Sequence, residues 1–198
     1  MTSFSGIVGA ARLWVLLCWI AWILLFLGRK NPAKGASIRR ETSARAGILL
    51  QAVSFLPVWW LRAERFPAYA LPEFVVWASC LLAMLVATGS AWMAAAARRE
   101  LGKQWSYEAR LVEGHRLVVG GPYAHVRHPM YSAMLGMLLA TGLAFSVWWA
   151  LPIVVGLFAA GTWIRVRAEE RLLAGAFGED FEAYRNHVPA VIPRWRSH

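Results

Sequence analysis

At 198 residues, 59% of them hydrophobic and with a mean hydropathy of +0.45, the chain is too apolar for an ordinary soluble domain and too short for several large ones. Its formal charge of +10 sits in the gaps between apolar runs, where anionic lipid headgroups would meet it, which argues against nucleic acid as the partner. Cys18 and Cys80 fall inside apolar runs with no CxxC partner and read as small core residues, with no bearing on redox compartment.

A spanning helix takes about 20 mostly apolar residues. The first such run, residues 7–28, has no basic region ahead of it beyond Arg12 and no A-x-A-like cleavage site, and it ends in Arg29-Lys30. This is a stop-transfer pattern and predicts a retained span. Arg12, at the far end of that span, is expected to snorkel. Runs at 43–61 and 70–97 predict a second and third span, and those at 131–147 and 148–166 a fourth and fifth. The last two touch, and GLAFSVWWALP (142–152) predicts a tight helical hairpin, with Trp148 and Trp149 at an aromatic belt and Pro152 in a first helical turn.

Positive charge tests that count. Residues 29–45 carry six Lys and Arg, residues 98–130 carry six, and the tail from 165 carries six, while 62–69 carries two and the hairpin turn none. Basic connections stay on the cytoplasmic side. The expectation is an all-α integral membrane protein of five spans in one membrane domain, residues 1–198, with the N-terminus outside and the C-terminus cytoplasmic. Three spans occupy 1–97. The loop 98–130 and the tail 165–198 then face one compartment and hold everything of chemical interest.

No Walker-type or GxGxxG glycine loop, GxSxG or HExxH is present, and His125 and His128 flank an arginine beside a proline, which argues against a metal site. Gly120, Gly121 and Pro122 predict a turn, and Pro129 suits the first position of the fourth span. Arg127 and His128 thereby fall at a helix N-terminus, where backbone donors favour an anionic group. Arg127, His128 and Tyr131 could equally be headgroup anchors. Arg165 lies at or just below headgroup depth, where a charge is a functional candidate, and it is i, i+4 from Glu169. A stapling ion pair is the plainer alternative. The stretch GEDFEAYRNHV reads as an interfacial amphipathic helix with Phe181, Tyr184 and Val188 on its apolar face.

Three pieces in this order, LGKQWS (101–106), HRLVVGGPYAHVRHPMY (115–131) and RVRAEERLLAGAFGEDFEAYRNHVPAVIP (165–193), straddling the hairpin, resemble the isoprenylcysteine carboxyl methyltransferase and phospholipid methyltransferase superfamily over residues 98–193. The resemblance implies a membrane-embedded, S-adenosylmethionine-dependent methyltransferase, with residues 98–198 as its catalytic part. Cofactor contacts would fall on His115, Arg116, Leu117, Val118, Tyr123, His128, Pro129, Met130, Tyr131 and Glu169, and Arg165 would meet the substrate. Arg165 and Glu169 are the implied catalytic pair. Family members with a glutamine upstream of the histidine motif would place it near Glu108, which is not carried over. Many have glycine two residues after the motif tyrosine, where this chain has Ala133.

The acceptor would be lipophilic and reach the site from the bilayer. A carboxylate is already ionised and needs only a cation to hold it, whereas an ethanolamine nitrogen needs a base. Arg165 therefore favours carboxyl O-methylation of an isoprenylcysteine-like acid over N-methylation of a phospholipid. A non-catalytic membrane scaffold explains the spans but not the crowding of polar groups on one side, and a transporter lacks a paired inverted repeat.

Overall fold

A computed structural model describes residues 2–27, 37–40, 44–62, 71–102, 110–112, 116–146 and 148–193. Its helices are α1 (Thr2–Leu27), α2 (Ala44–Trp60), α3 (Glu73–Leu101), α4 (Pro129–Phe145), α5 (Ala150–Phe177) and the short α6 (Glu179–His187). The five runs read from hydropathy correspond to the five long helices. α1, α3 and α5 are long and apolar enough to cross a membrane, and α4 is a shorter apolar helix. Large apolar side chains such as Leu24, Leu49, Leu56, Phe74 and Leu85 point outward along them. That is the surface of an integral membrane protein.

The helices run alternately up and down. Arg98, in the last turn of α3, donates to the Leu25 carbonyl near the end of α1, and Gly47 at the start of α2 lies against Gly161 and Arg165 around the middle of α5. Tyr131, at the start of α4, reaches Glu169 on α5. One end of the bundle thus gathers the C-terminal ends of α1, α3 and α5 with the N-terminal ends of α2 and α4. At the opposite end Ser146, just past α4, donates to Leu61 just past α2 (2.9 Å).

Close packing rests on small residues, as apolar spans require, because lipid is as apolar as leucine and gives no hydrophobic drive to associate. On α3, Ala83, Ala87, Ser90, Ala94 and Ala97 recur at alternating steps of four and three and are all buried. A Cβ on Gly136 of α4 would collide with the Ser90 hydroxyl, so α3 and α4 approach closely. Two apolar clusters flank α4. Val15, Cys18, Ala83, Ala87, Met137, Ala140 and Phe145 join it to α1 and α3, and Val58, Leu138, Val154 and Phe158 join it to α2 and α5. Both cysteines are buried and free, as core residues.

Three features depart from the sequence expectation, and a fourth, the partners of Arg12, was not read from sequence. A two-stranded antiparallel ribbon, β1 (Ser37–Arg40) with β2 (Arg110–Val112), joins the two basic connections, so the fold is helical with this small addition. The two connections emerge at one end and satisfy each other's backbone. Arg12 reaches across to the end of α4. Its Nε donates to the Ala144 carbonyl (3.1 Å) and its guanidinium lies over the Phe145 ring (5.5 Å), so it caps α4. α5 continues eleven residues beyond the expected end at 166, to Phe177. The amphipathic α6 turns its apolar face to protein rather than to the interface, since Phe181 is fully buried and Tyr184 donates to the Tyr123 carbonyl (2.6 Å). The hairpin is as expected, with α4 ending at Phe145 and Pro152 in the first turn of α5.

Candidate functional site

Two segments far apart in sequence build one polar cluster. Pro129 starts α4 with φ preset and no amide hydrogen to satisfy, which leaves His128 as the residue before the helix and Tyr131 in its first turn. Arg165, Glu169 and Glu170 project from α5, the first two one helical turn apart on one face. Arg165 lies about 15 residues into α5, or ~23 Å along its axis, and Glu169 at ~29 Å, against a hydrocarbon core of about 30 Å. The cluster therefore sits where one end of the bundle leaves the apolar layer.

His128 is its centre. Nδ1 lies 3.2 Å from Glu169 Oε2, and Nε2 lies 3.2 Å from Glu170 Oε1. Ionised carboxylates only accept, so this pairing favours the ring that donates from both nitrogens, the imidazolium. Burial opposes that charge, but the hydrogen bonds and charges of Glu169 and Glu170 outweigh it and hold the pKa above the ordinary histidine range. Tyr131 stacks on the imidazole at 5.7 Å and donates its hydroxyl to Glu169. Arg165 lies over the other partner of that stack, its guanidinium 4.8 Å from the Tyr131 ring centroid, with Nη2 3.8 Å from Glu169 Oε1. Arg127 closes the cluster through Nη2 to Glu170 at 2.7 Å. Arg127, His128 and Arg165 thus face Glu169 and Glu170 across the junction of α4 and α5.

The C-terminal segment straps this arrangement. Past α6 the chain folds back so that the amides of Arg127 and His128 donate to the carbonyls of Pro189 and Ala190 (2.8 Å each). Arg127 also donates to the Arg185 carbonyl (2.9 Å) and to that of Val188, and Ser132 donates to Val191. The backbone donors of Arg127 and His128, expected to receive an anion, are therefore engaged by the chain itself. Tyr123 is buried beneath α6, and burial, with the Glu169 charge, raises its pKa so that it stays a neutral donor. Burial likewise pushes Tyr184 up to about 12.

Of the residues singled out from sequence, Tyr123, His128, Tyr131, Arg165 and Glu169 are brought together. Pro129 is buried beneath them and Met130 is half-buried beside them. Arg116, Leu117 and Val118 belong to no helix or strand, with Arg116 exposed and the other two half-buried. His115 and Glu108 lie outside the described residues. Ala133 is buried in α4, consistent with a position that tolerates only a small side chain.

Three participants are not visible in the motifs. Gln51 of α2 accepts from Arg165 Nη1 at 3.0 Å, and Thr162 accepts from Gln51 Nε2 at 2.8 Å. A lone amide inside an apolar run was the available signal. Glu100, at the end of α3, sets its carboxylate against the Gly120–Gly121 turn, where Gly121 has φ +56 and a Cβ on Gly120 would lie 2.7 Å from the Glu100 oxygen. Nothing in its local sequence distinguishes Glu100 from a solvated helix-end acid.

A family model described as phospholipid methyltransferase matches residues 78–180, which takes in most of α3, all of α4 and α5 and the whole charged cluster. The chain is similar to a protein-S-isoprenylcysteine O-methyltransferase of Schizosaccharomyces pombe, 29% identical over 136 residues that cover 65% of this chain and 55% of that protein. It is also similar to the cobalt-zinc-cadmium resistance protein CzcN of Cupriavidus metallidurans, 37% identical over 98 residues, 48% of this chain and 44% of that protein. The chain spans about half the length of these curated relatives.

Proposed function

The chain belongs to the phospholipid methyltransferase family, and we propose that it transfers the methyl group of S-adenosylmethionine to a lipophilic carboxylate, of the isoprenylcysteine type or another hydrophobic acid. The observation that carries this reading is Arg165 on α5, its guanidinium set over the Tyr131 ring and hydrogen-bonded to the Gln51 amide. A group so placed can receive an anion from the bilayer side.

The donor set suits the cofactor. S-adenosylmethionine supplies, when bound, an electrophilic methyl on a sulfonium. The ring faces of Tyr123, His128 and Tyr131 suit a cationic sulfur and a flat adenine. Glu169, whose side chain is 27% exposed, is open to ammonium or hydroxyl donors. In this reading Arg116, Leu117, Val118, Pro129 and Met130 line the approach, and His115, outside the described residues, is a cofactor contact by resemblance alone. Arg165 orients the acceptor oxygen, and the buried rings keep water from competing, which is what an in-line displacement most needs.

Both carboxylates are already committed to cations, Glu170 to Arg127 and His128, and Glu169 to His128 with Arg165 nearby. Deprotonating an ethanolamine would require one of them to leave that partner and act as a base. A carboxylate acceptor requires no such step. The basic connections at the same end support a cytoplasm-facing site.

Calorimetric titration of the detergent-solubilised protein with S-adenosylhomocysteine, wild type beside Glu169→Ala, tests the reading. Micromolar binding that weakens by about tenfold or more in the variant is expected. A well-folded wild type that binds none would return the chain to the scaffold or transporter alternatives.

A further inference from the structure

On the reading that Glu169 and His128 meet the cofactor, we infer that Glu170 and Arg127 are positioning residues, which fix the His128 ring from the protein side and thereby hold Glu169 toward the ligand. Two adjacent acids on α5 straddle one imidazole, Glu169 at Nδ1 and Glu170 at Nε2, each at 3.2 Å. They are not equivalent. The Glu169 side chain is 27% exposed and that of Glu170 15%, so Glu169 is the member of the pair that a ligand reaches. Glu170 is turned inward, where a single oxygen, Oε1, meets Arg127 Nε at 2.9 Å, Arg127 Nη2 at 2.7 Å and His128 Nε2 at 3.2 Å. Arg127 is fixed in turn, because its remaining nitrogen, Nη1, donates to the carbonyls of Arg185 on α6 (2.9 Å) and of Val188 just after it. The planar fork therefore ties together the residues before α4, α5 and the tail, a geometry that lysine lacks.

His128 faces Glu169 and Glu170 from α5, with Arg165 beyond the Tyr131 ring, Tyr131 itself from α4, and Arg127 beside it. Among the further groups of the cluster, burial keeps Tyr123 and Tyr184 neutral, and the Arg185 guanidinium pairs with Glu182 at 2.7 Å. A neutral imidazole has one N–H, which cannot serve two carboxylates at once. With Glu170 ionised against Nε2 the doubly protonated ring is favoured, and Nδ1–H and the Tyr131 hydroxyl each hold one oxygen of Glu169. Without the Glu170 charge, burial shifts the balance toward the neutral ring, and in one of its tautomers the Nδ1 lone pair opposes Glu169. The second acid thus sets the orientation of the first through the ring between them.

The test uses the full chain in detergent with isotope-labelled histidine, the ring nitrogens followed by NMR across pH, and His128→Gln to identify the His128 signals among the five histidines. Wild type is expected to keep both His128 nitrogens protonated above the ordinary transition at about 6.5. Glu170→Gln, which keeps size and a hydrogen-bonding oxygen, should move that transition down by about one pH unit or more. Binding of S-adenosylhomocysteine, read by calorimetry, should weaken by about tenfold in Glu170→Gln, the deficit growing as pH rises through the variant's His128 transition while wild type stays level. If Glu170→Gln does not fold, Arg127→Lys, which retains the charge and gives up the fork, should shift both readings in the same direction by a smaller amount. An unmoved His128 transition, or a binding deficit that is the same at every pH, would reduce Glu170 and Arg127 to packing and overturn the inference alone. No binding by a well-folded wild type would overturn the cofactor reading on which the inference rests.

Discussion

The two ends of the bundle hold arginines in the same way and surround them differently. At the hairpin end, Arg12 and Arg62 both lie over the Phe145 ring, 5.5 and 5.7 Å from its centroid, and Arg12 caps the Ala144 carbonyl. At the other end, Arg165 lies over Tyr131 in the same manner, but a carboxylate, a histidine and a neutral amide share its surroundings. Stacking an arginine on a ring is thus a general way to hold it where the apolar layer ends. What separates a fastening from a candidate site is the company of groups that can bind or exchange charge with a ligand.

The sharpest way to break that comparison is to remove one arginine from each end. Arg165→Ala is expected to lower methyl transfer to a lipophilic carboxylate by about a hundredfold or more, in line with losing a charged hydrogen-bonding partner at a buried site. S-adenosylhomocysteine affinity should stay within a few fold. Equal loss of both in calorimetry and turnover assays would move Arg165 to the cofactor side. Arg12→Leu at the hairpin end should leave turnover unchanged and cost about 1 kcal/mol of stability, the scale of a cationic helix cap with its ring contact. A thermal melt that does not move, or an activity that does, would erase the distinction between the ends.

The smallest expected effect sharpens the picture of the charged cluster. His128 faces Glu169, Glu170, Arg127, Arg165 and Tyr131, and its pKa is raised in the folded protein. The stability this adds is fully present below its unfolded value of about 6.5 and is lost as pH climbs through the raised folded value. Thermal midpoints should therefore decline as pH rises above neutrality, and His128→Gln should flatten that decline. Parallel slopes in the two proteins would mean that His128 is not the charged centre.

Much of the fold was legible because a membrane leaves few solutions. Runs of the right length must be helices, their alternation brings odd connections to one end, and Pro129 and Pro152 mark where two of them begin. The site was legible where residues lie within a turn or two of one another, as Arg165 and Glu169 do on α5 and His128 and Tyr131 do at the start of α4. Gln51, Glu100 and the strap at 188–191 were not, because each acts through partners tens of residues away. Backbone carbonyls, as in the strap, carry no residue signature at all.

By itself, then, the sequence determined where the apolar helices run, which end of the bundle collects the charge, and which residues of α4 and α5 can meet. Hydrophobic periodicity, proline and helical spacing are local and act through the nearest few residues. Only the tertiary structure decided that Arg12 caps α4, that the donors before α4 are strapped by the tail, and that Arg165 rests against Gln51. Those outcomes depend on how closely helices approach, and that distance is set by small residues such as Gly47, Gly161 and Gly136 once their partners are known.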